Sequence, residues 1–420
     1  MLESYFVRPQ TVDRIRASWI GAEVEQYVGW LAERGYTARC VLTRVPLLVA
    51  FGEFARACGA RTVEELPEQV EPFVVGWVAE RHRHRRVGAR PSENEVRGPI
   101  EQMLTLAMPG FVGSGRANRP EPFADALPAF FEYLLAERGL RPASRRNYQH
   151  HLRHFESYLA RIGAGLAELS PPILSAFIAE RAAIGLATTT LRDGCGVLRV
   201  FLRYAHREGV LRSDLSAVME WPQVYRLSEI PRSITWSEVR DVLAGVDRRS
   251  PAGKRDYAIL LLLVSYGLRG REVAALTLDD IDWKRERLAV PERKAGHSTA
   301  FPLSATVGEA IIDYLRHGRP QTRSRRVFFR AVAPVEPIGP AAVSARARHY
   351  LLKAGVPVVR PGSHTLRHTC VQRLVEADFS LKTIGDFVGH RSAKSTEIYA
   401  KVAVESLREV ALGDGEEVLS

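Results

Sequence analysis

Cysteine is scarce in this sequence, and its four cysteines stand far apart in the chain of 420 residues. Cys40, Cys58, Cys195 and Cys370 contain no CxxC pair, so the sequence indicates neither a zinc site nor a disulfide framework. Free thiols are typical of a reducing compartment, and we therefore expect a cytoplasmic protein.

Long apolar runs are also absent. The longest, Ala258 to Val264, is far shorter than the roughly 20 residues that a membrane-spanning helix needs. The N-terminus has no basic region followed by an apolar core, so no signal peptide is expected. The sequence therefore predicts no membrane partner.

Acidic residues are too few to balance the basic ones, and the formal net charge is +11. Residues 232–420 contain 30 basic and 22 acidic side chains, whereas residues 1–118 contain 15 and 14, and residues 119–231 contain 14 and 12. A GC-rich genome would explain a preference for arginine but not this uneven distribution. The excess in the C-terminal part predicts a polyanionic partner there.

Four polar side chains near the C-terminus match the needs of one reaction. His364 and Arg367 are three residues apart and share a helix face, His390 follows a Val-Gly pair, and Tyr399 lies nine residues later. A phenol attacks phosphorus only if its proton is removed, because its reference pKa is about 10. Guanidinium and imidazole groups stabilise the charge that develops on the phosphate oxygens. Each of these residues alone is common in proteins and would not indicate a function. His368, one helical turn after His364, is interpreted as having no catalytic role.

Taken jointly, these residues resemble the C-terminal signature of the tyrosine recombinase (phage integrase) family. Two further motifs agree with the resemblance and occur in the family's order. The sequence from Gly267 to Glu272 is similar to the family's first arginine box, and the one from Arg293 to Leu303 is similar to its lysine hairpin. The match implies Arg269, rather than Arg271, as the first phosphate-binding arginine. It implies Lys294 as the catalytic lysine, although Ala295 replaces the usual glycine.

The resemblance implies a role for each matched residue. Tyr399 is the nucleophile, and Arg269, Arg367 and His390 hold the phosphate. His364 handles the tyrosine proton, Lys294 protonates the leaving 5′-oxygen, and Glu272 orients the site. The bond energy is kept in a 3′-phosphotyrosyl ester, so no metal or other cofactor is expected.

An internal repeat indicates the domain organisation. The sequence Leu-Ala-Glu-Arg-Gly at residues 31–35 recurs at residues 135–139, which is 104 positions later. We predict an N-terminal helical module at 1–118 that duplicates a core-binding-like domain, a helical core-binding (SAM-like) domain at 119–222, a linker at 223–231 and a catalytic domain at 232–420. The expected fold is mainly α-helical, with a small antiparallel β-sheet in the α+β catalytic domain, arranged as a multidomain DNA clamp.

Two basic stretches are predicted to contact DNA phosphates, although each has the alternative of being an ordinary solvated surface. These predictions fall on Arg141, Arg145 and Arg146 in the second module and on Arg83, Arg85 and Arg86 after the first.

The sequence therefore predicts a site-specific DNA recombinase for integration, excision or transposition of a mobile element. The expected partner is double-stranded DNA, bound by a homotetramer on paired sites, alone or with other recombinases. Two alternatives stay open: a topoisomerase of type IB that relaxes supercoils by the same chemistry, and a catalytically silent DNA-binding regulator.

Overall fold

A computed structural model describes residues 1–84, 92–114, 119–219, 222–223, 233–291 and 298–389 of the chain. Within these ranges the protein is mainly helical and has one small antiparallel sheet, which confirms the predicted fold class. Arg85, Arg86, Lys294, His390 and Tyr399 lie outside the described residues, as does the side chain of Arg83.

The N-terminal module is helical and has a hydrophobic core of its own. Its helices are α1 (Pro9–Ala17), α2 (Gly21–Glu33), α3 (Ala38–Ala57), α4 (Leu66–His84) and α5 (Glu93–Ala107). Phe51 of α3 and Phe73 of α4 meet edge to face in this core, with ring centroids 5.4 Å apart. Such aromatic pairs add to the stabilisation that burial of their apolar surface provides.

The second module repeats this arrangement. It contains α6 (Phe130–Ala136), α7 (Pro142–Ile162), α8 (Pro171–Ala183) and α9 (Thr188–Arg207) around a separate core. Phe155 and Phe177 stand 104 positions after Phe51 and Phe73, and their ring centroids are 5.1 Å apart. Gly59 follows α3 and Gly163 follows α7, and both have positive φ. The shared burial and turn geometry support a duplicated fold.

The C-terminal part combines helices with the sheet around a third core. Its helices are α10 (Trp236–Ala244), α11 (Pro251–Tyr266), α12 (Gly270–Ala275), α13 (Ala305–His317), α14 (Pro340–Lys353), α15 (Ser363–Glu376) and α16 (Leu381–Val388). The strands β1 (Ile281–Asp282), β2 (Arg287–Val290) and β3 (Thr299–Pro302) pair antiparallel in chain order.

Helix α11 is the central element of this third core. Every residue from Ala258 to Val264 is buried, as expected for a helix that is apolar on all sides. The Ser250 hydroxyl caps its first turn by accepting from the Gly253 amide at 3.0 Å. Gly267 ends the helix with φ of +57°, a backbone conformation that residues with a Cβ rarely adopt.

By backbone contacts the chain divides into two units. One unit consists of the described parts of Met1–Phe111 and Glu229–Ser420, and the other of the described parts of Val112–Ser228. Within the first unit, the Val335 amide donates to the carbonyl oxygen of Arg34 at 3.2 Å.

Candidate active site

Arg269 is held at the turn between α11 and α12 by a single carboxylate. The Arg269 amide donates to Glu272 Oε2 at 2.8 Å, and Arg269 Nη1 donates to Glu272 Oε1 at 2.9 Å. Glu272 therefore caps α12 and pairs with the guanidinium at the same time. Because this carboxylate is buried, the charged pair forms in surroundings of low polarity and its geometry is restricted.

Arg367 lies on α15 and is 3% exposed. Its Nη1 donates to the carbonyl oxygen of Gly267, and its Nη2 donates to that of Val388 at 2.7 Å. Arg269 Nη2 donates to the next carbonyl oxygen, that of Gly389, at 2.8 Å. The two arginines thus bind adjacent carbonyls at the C-terminal end of α16, where the helix dipole favours cations. The turn between α11 and α12, helix α15 and the end of α16 are distant in sequence, and these contacts bring them together.

His364 is one helical turn before Arg367 on α15. The residue is exposed, but its ring loses part of its hydration against the protein. This desolvation, followed by the positive charges of Arg367 and Arg269, lowers the pKa of His364 from its ordinary value. Loss of hydration and like charge both disfavour the protonated imidazole. The ring is therefore neutral near pH 7 and able to accept a proton.

His368 is half-buried beside His364, with ring centroids 6.1 Å apart. Burial, followed by His364 and Arg367, lowers the pKa of His368 to about 4. In the unfolded chain a histidine has a pKa of about 6.5. As the pH falls below that value, the imidazole of His368 is therefore protonated in the unfolded chain before it is protonated in the folded protein.

We therefore expect the catalytic domain to lose stability as the pH falls from about 6.5 towards 4, because His368 stays neutral in the fold over that range. Hydrogen exchange of the α15 amides at pH 7 and pH 5 measures the loss. His368→Gln should reduce the difference between the two pH values, whereas His206→Gln on the exposed surface of α9 should not. An unchanged difference in His368→Gln would contradict the role of this histidine.

The start of α15 packs closely against α14. A Cβ on Gly362 would lie 2.8 Å from the Ser344 hydroxyl oxygen, which also accepts from the Ser363 amide at 3.4 Å. Gly270 is close as well, because a Cβ there would lie 3.3 Å from the Ser363 hydroxyl. The approach of α12, α14 and α15 determines where Arg269 and His364 stand relative to each other.

Gly362→Ala should lower the rate of DNA cleavage about tenfold, because the added methyl group pushes the first turn of α15 away from α14. Single-turnover cleavage of a nicked substrate measures the effect. Adding Ser344→Ala removes the oxygen that the methyl group meets and should restore most of the rate. Equal rates in the single and double variants, both below wild type, would show that the contact is not the cause.

Three of the predicted catalytic residues lie beyond the described ranges. Lys294 belongs to the segment between β2 and β3, and His390 follows Gly389 directly in sequence. The placement of Tyr399 is likewise not described. The roles of all three stay predictions.

The structure distinguishes among the predicted DNA-contacting arginines at the start of α7. Arg145 Nε donates to Glu121 Oε1 at 2.7 Å, so a carboxylate already neutralises much of its charge. Arg141 and Arg146 are exposed and form no ion pair with any residue that the structure describes. These two are better placed to meet a phosphate, and all three stay predictions.

Sequence reasoning missed the backbone oxygens that hold the two arginines. The carbonyls of Gly267, Val388 and Gly389 carry no residue-specific signal, because every residue has one. The available clue was a glycine after each helical run, since glycine at a helix end favours the positive φ that both residues have and such turns expose carbonyls. Cys370, which is buried nearby, is excluded as a nucleophile because burial raises the pKa of its thiol to about 12.

The described ranges contain no cluster of three or more histidine, cysteine, aspartate or glutamate side chains suited to hold a metal ion. In the same ranges, no helix combines the length and the apolar character needed to cross a membrane.

Comparison with known proteins identifies relatives along most of the chain. Residues 232–406 match the Phage integrase family, and residues 127–209 match the Phage integrase, N-terminal SAM-like domain. A putative integrase/recombinase of Sinorhizobium fredii, y4rA, is 32% identical over 390 residues, which cover 92% of each chain.

Two solved structures share the fold. The XerH site-specific recombinase bound to a palindromic difH substrate aligns with a TM-score of 0.54 at 15% identity, covering 82% of this chain and 96% of that one. A lambda integrase tetramer bound to a Holliday junction aligns with a TM-score of 0.52 at 19% identity, covering 74% and 88%.

Proposed function

The chain belongs to the phage integrase family of tyrosine recombinases, which cleave and rejoin DNA, and we propose that Tyr399 is its nucleophile. The function predicted from the sequence, site-specific recombination, is thereby confirmed at the level of the family.

The observation that supports the proposal best is the convergence of Arg269 and Arg367 on the end of α16. Each guanidinium is held by protein groups before any DNA binds, through Glu272 and three backbone carbonyls. Donors that are already in place stabilise developing negative charge without reorganisation during the reaction. A phosphate between these two arginines would gain this stabilisation as its oxygens become more negative.

In the proposed reaction, a DNA strand is cleaved in one step and rejoined in a second. Tyr399 Oη attacks the scissile phosphorus, a tyrosyl–phosphorus bond forms, and the bond from phosphorus to the 5′-oxygen breaks. The neutral His364 accepts the phenolic proton and Lys294 gives a proton to the departing 5′-oxygen. The 5′-hydroxyl of the partner strand then attacks the phosphotyrosine, a bond from phosphorus to that 5′-oxygen forms, and the tyrosyl–phosphorus bond breaks. Lys294 accepts the hydroxyl proton and His364 returns a proton to Tyr399 Oη.

His390 is assigned to the phosphate together with the arginines, because it follows Gly389, whose carbonyl oxygen binds Arg269. Arg141, just before α7, and Arg146 of α7 would bind the DNA backbone outside the active site, as would Arg83, Arg85 and Arg86, and Arg145 to a lesser extent. Such contacts supply affinity that is sensitive to salt and independent of sequence.

Double-stranded DNA is the proposed partner, and a homotetramer on paired sites the proposed assembly, alone or with other recombinases. The lambda integrase structure with this fold is a tetramer on a Holliday junction. We also propose the domain limits 1–118, 119–222, 223–231 and 232–420, and the proposal is supported by a hydrophobic cluster within each of the three larger segments. A location in the cytoplasm would place the enzyme with its DNA.

A nicked suicide substrate that carries the end of the element tests the nucleophile. Wild-type protein should form a covalent protein–DNA complex on a denaturing gel, and Tyr399→Phe should abolish it, because phenylalanine has no oxygen to attack phosphorus. Phosphopeptide mapping should place the DNA on Tyr399. A covalent complex that persists in Tyr399→Phe would refute the assignment.

The two alternatives predict different products with the same reagents. A silent regulator would bind the substrate without forming a covalent complex, and a topoisomerase of type IB would relax a supercoiled plasmid that lacks the element's ends. The recombinase should join strands from two sites and should leave such a plasmid unchanged.

A further inference from the structure

The first residues of the catalytic domain are hydrogen-bonded to α15, the helix of the candidate active site. Residues 223–231 are the proposed linker from the core-binding domain, and Ile234, shortly after it, is already buried in the catalytic core. The Ile234 amide has no partner within a helix, because α10 begins only at Trp236. It donates instead to the hydroxyl oxygen of Thr369 on α15 at 3.0 Å, in a buried contact between residues 135 positions apart.

Thr369 extends this contact to the first turn of α15. Its hydroxyl, which accepts from the Ile234 amide, also donates to the carbonyl oxygen of Thr365 at 3.0 Å. Thr365 is next to His364 in sequence, and both hydrogen bonds are buried. Hydrogen bonds that share one hydroxyl polarise and strengthen each other. A single side chain therefore links the start of the catalytic domain to the backbone beside the group that accepts the tyrosine proton.

A second contact joins the same two segments one helical turn further along α15. The Arg373 guanidinium lies over the Trp236 ring, with its central carbon 3.9 Å from the ring centroid. Because Arg373 is exposed and Trp236 is partly so, this cation–π pair is the weaker of the two contacts. Thr365, Thr369 and Arg373 are spaced by four residues and lie on one face of α15. The start of the catalytic domain thus contacts this helix along a face that is adjacent to His364.

We propose that Thr369 is a positioning residue for DNA cleavage and that it couples the core-binding domain to the active site. The inference rests on the proposed catalytic roles of His364 and Arg367. When the core-binding domain binds DNA, the linker determines where the chain enters the catalytic domain. Thr369 transmits that position to α15, and so to the groups that accept the tyrosine proton and hold the phosphate. Small displacements of such groups lower the rate strongly, because the reaction requires aligned atoms.

Thr369→Val tests the proposal in the full-length chain, because valine has a similar size and lacks the hydroxyl. With saturating nicked DNA, its single-turnover rate of strand cleavage should be about tenfold below wild type, whereas the Kd for uncleaved DNA should change by less than about twofold. Thr369→Ser keeps the hydroxyl and should cleave at close to the wild-type rate. Tyr350→Phe is the control for lost stability, because it removes a hydrogen bond between α14 and α11 of the same domain and should leave the rate unchanged.

The weaker contact provides an independent check. Arg373→Gln removes the cation over Trp236 and should lower the rate at saturating DNA about threefold. Combined with Thr369→Val, it should lower the rate no further than Thr369→Val alone, because both changes release the same segment from α15. Arg248→Gln is the matched control, since it removes a cation 4.3 Å from the Tyr257 ring of α11, and it should leave the rate unchanged. Effects that multiply in the double variant would contradict the proposal.

Three further results would overturn the proposal while leaving the proposed function intact. The first is a Thr369→Val variant that cleaves as fast as wild type, and the second is one that loses affinity for DNA in place of rate. The third is a Thr369→Ser or Tyr350→Phe variant as slow as Thr369→Val, which would assign the loss to packing or stability. A wild-type protein that cleaves no substrate would instead overturn the proposed function, and this inference with it.

Discussion

Arg269→Lys should lower the single-turnover rate of DNA cleavage by about 10²-fold while the protein remains folded. The guanidinium of Arg269 binds Glu272 and the Gly389 carbonyl at 2.9 and 2.8 Å through two different nitrogens. Lysine keeps the positive charge beside the buried carboxylate but cannot reproduce this planar fork. Removal of one preorganised donor from a comparable site costs about 10²- to 10³-fold.

Arg271→Lys is the matched control, because it makes the same change two residues away, in the first turn of α12. Its rate should stay within a few-fold of wild type, since we assign the phosphate to Arg269. Covalent complex formed on the nicked substrate measures both rates, and thermal unfolding confirms that both variants are folded. A larger loss of cleavage rate in Arg271→Lys than in Arg269→Lys would show that Arg271, and not Arg269, binds the phosphate.

Asp256→Ala should destabilise the catalytic domain by about 3–5 kcal/mol, the cost of leaving a buried charge without its partner. Asp256 is 1% exposed and Arg255 is 6% exposed. Asp256 Oδ1 accepts from Arg255 Nε and Nη2 at 2.9 and 2.7 Å, and Arg255 Nη1 donates to the Phe329 carbonyl at 2.9 Å. The Tyr350 hydroxyl of α14 donates to Asp256 Oδ2 at 3.2 Å.

Tyr350→Phe removes only that last hydrogen bond and should cost about 1.5–3 kcal/mol, the range for hydrogen bonds to charged groups. Burial, together with the nearby Asp256 carboxylate, raises the pKa of Tyr350 to about 12, so the hydroxyl donates throughout the ordinary pH range. Hydrogen exchange of the α11 amides gives the free energy of opening for each variant, with the α7 amides as an internal reference. Equal costs for the two variants would show that the ion pair adds nothing beyond one hydrogen bond.

Sequence reasoning was most successful where the signal is local. The spacing of His364 and Arg367 predicts a shared helix, and both lie on α15. The small antiparallel sheet predicted in the catalytic domain corresponds to β1, β2 and β3. Hydrophobic period and helix caps act over a few residues, so they can be read without knowing the fold.

The duplication of the helical module could also be predicted from the sequence, because it too appears as a local pattern of residues. A repeated pentapeptide and matched phenylalanines are sequence features, and the structure adds that Phe51 and Phe155 occupy equivalent core positions. The sequence could not show that the groove between α3, α4 and α5 of the first module has a volume of about 640 Å³, whereas the cleft between α7, α8 and α9 of the second has only about 20 Å³. Cavity volume depends on how three helices pack, and no single position determines it.

The sequence by itself therefore determined the family, the helical character and the identity of the candidate catalytic side chains, because each depends on residue type and spacing along the chain. Only the tertiary structure decided that Arg269 and Arg367 bind consecutive carbonyls of α16 and that Arg145 is paired with Glu121. Those contacts join residues more than 20 positions apart, and they form only when separate helices pack around a common core. Backbone carbonyls and long-range ion pairs leave no periodic trace in a sequence.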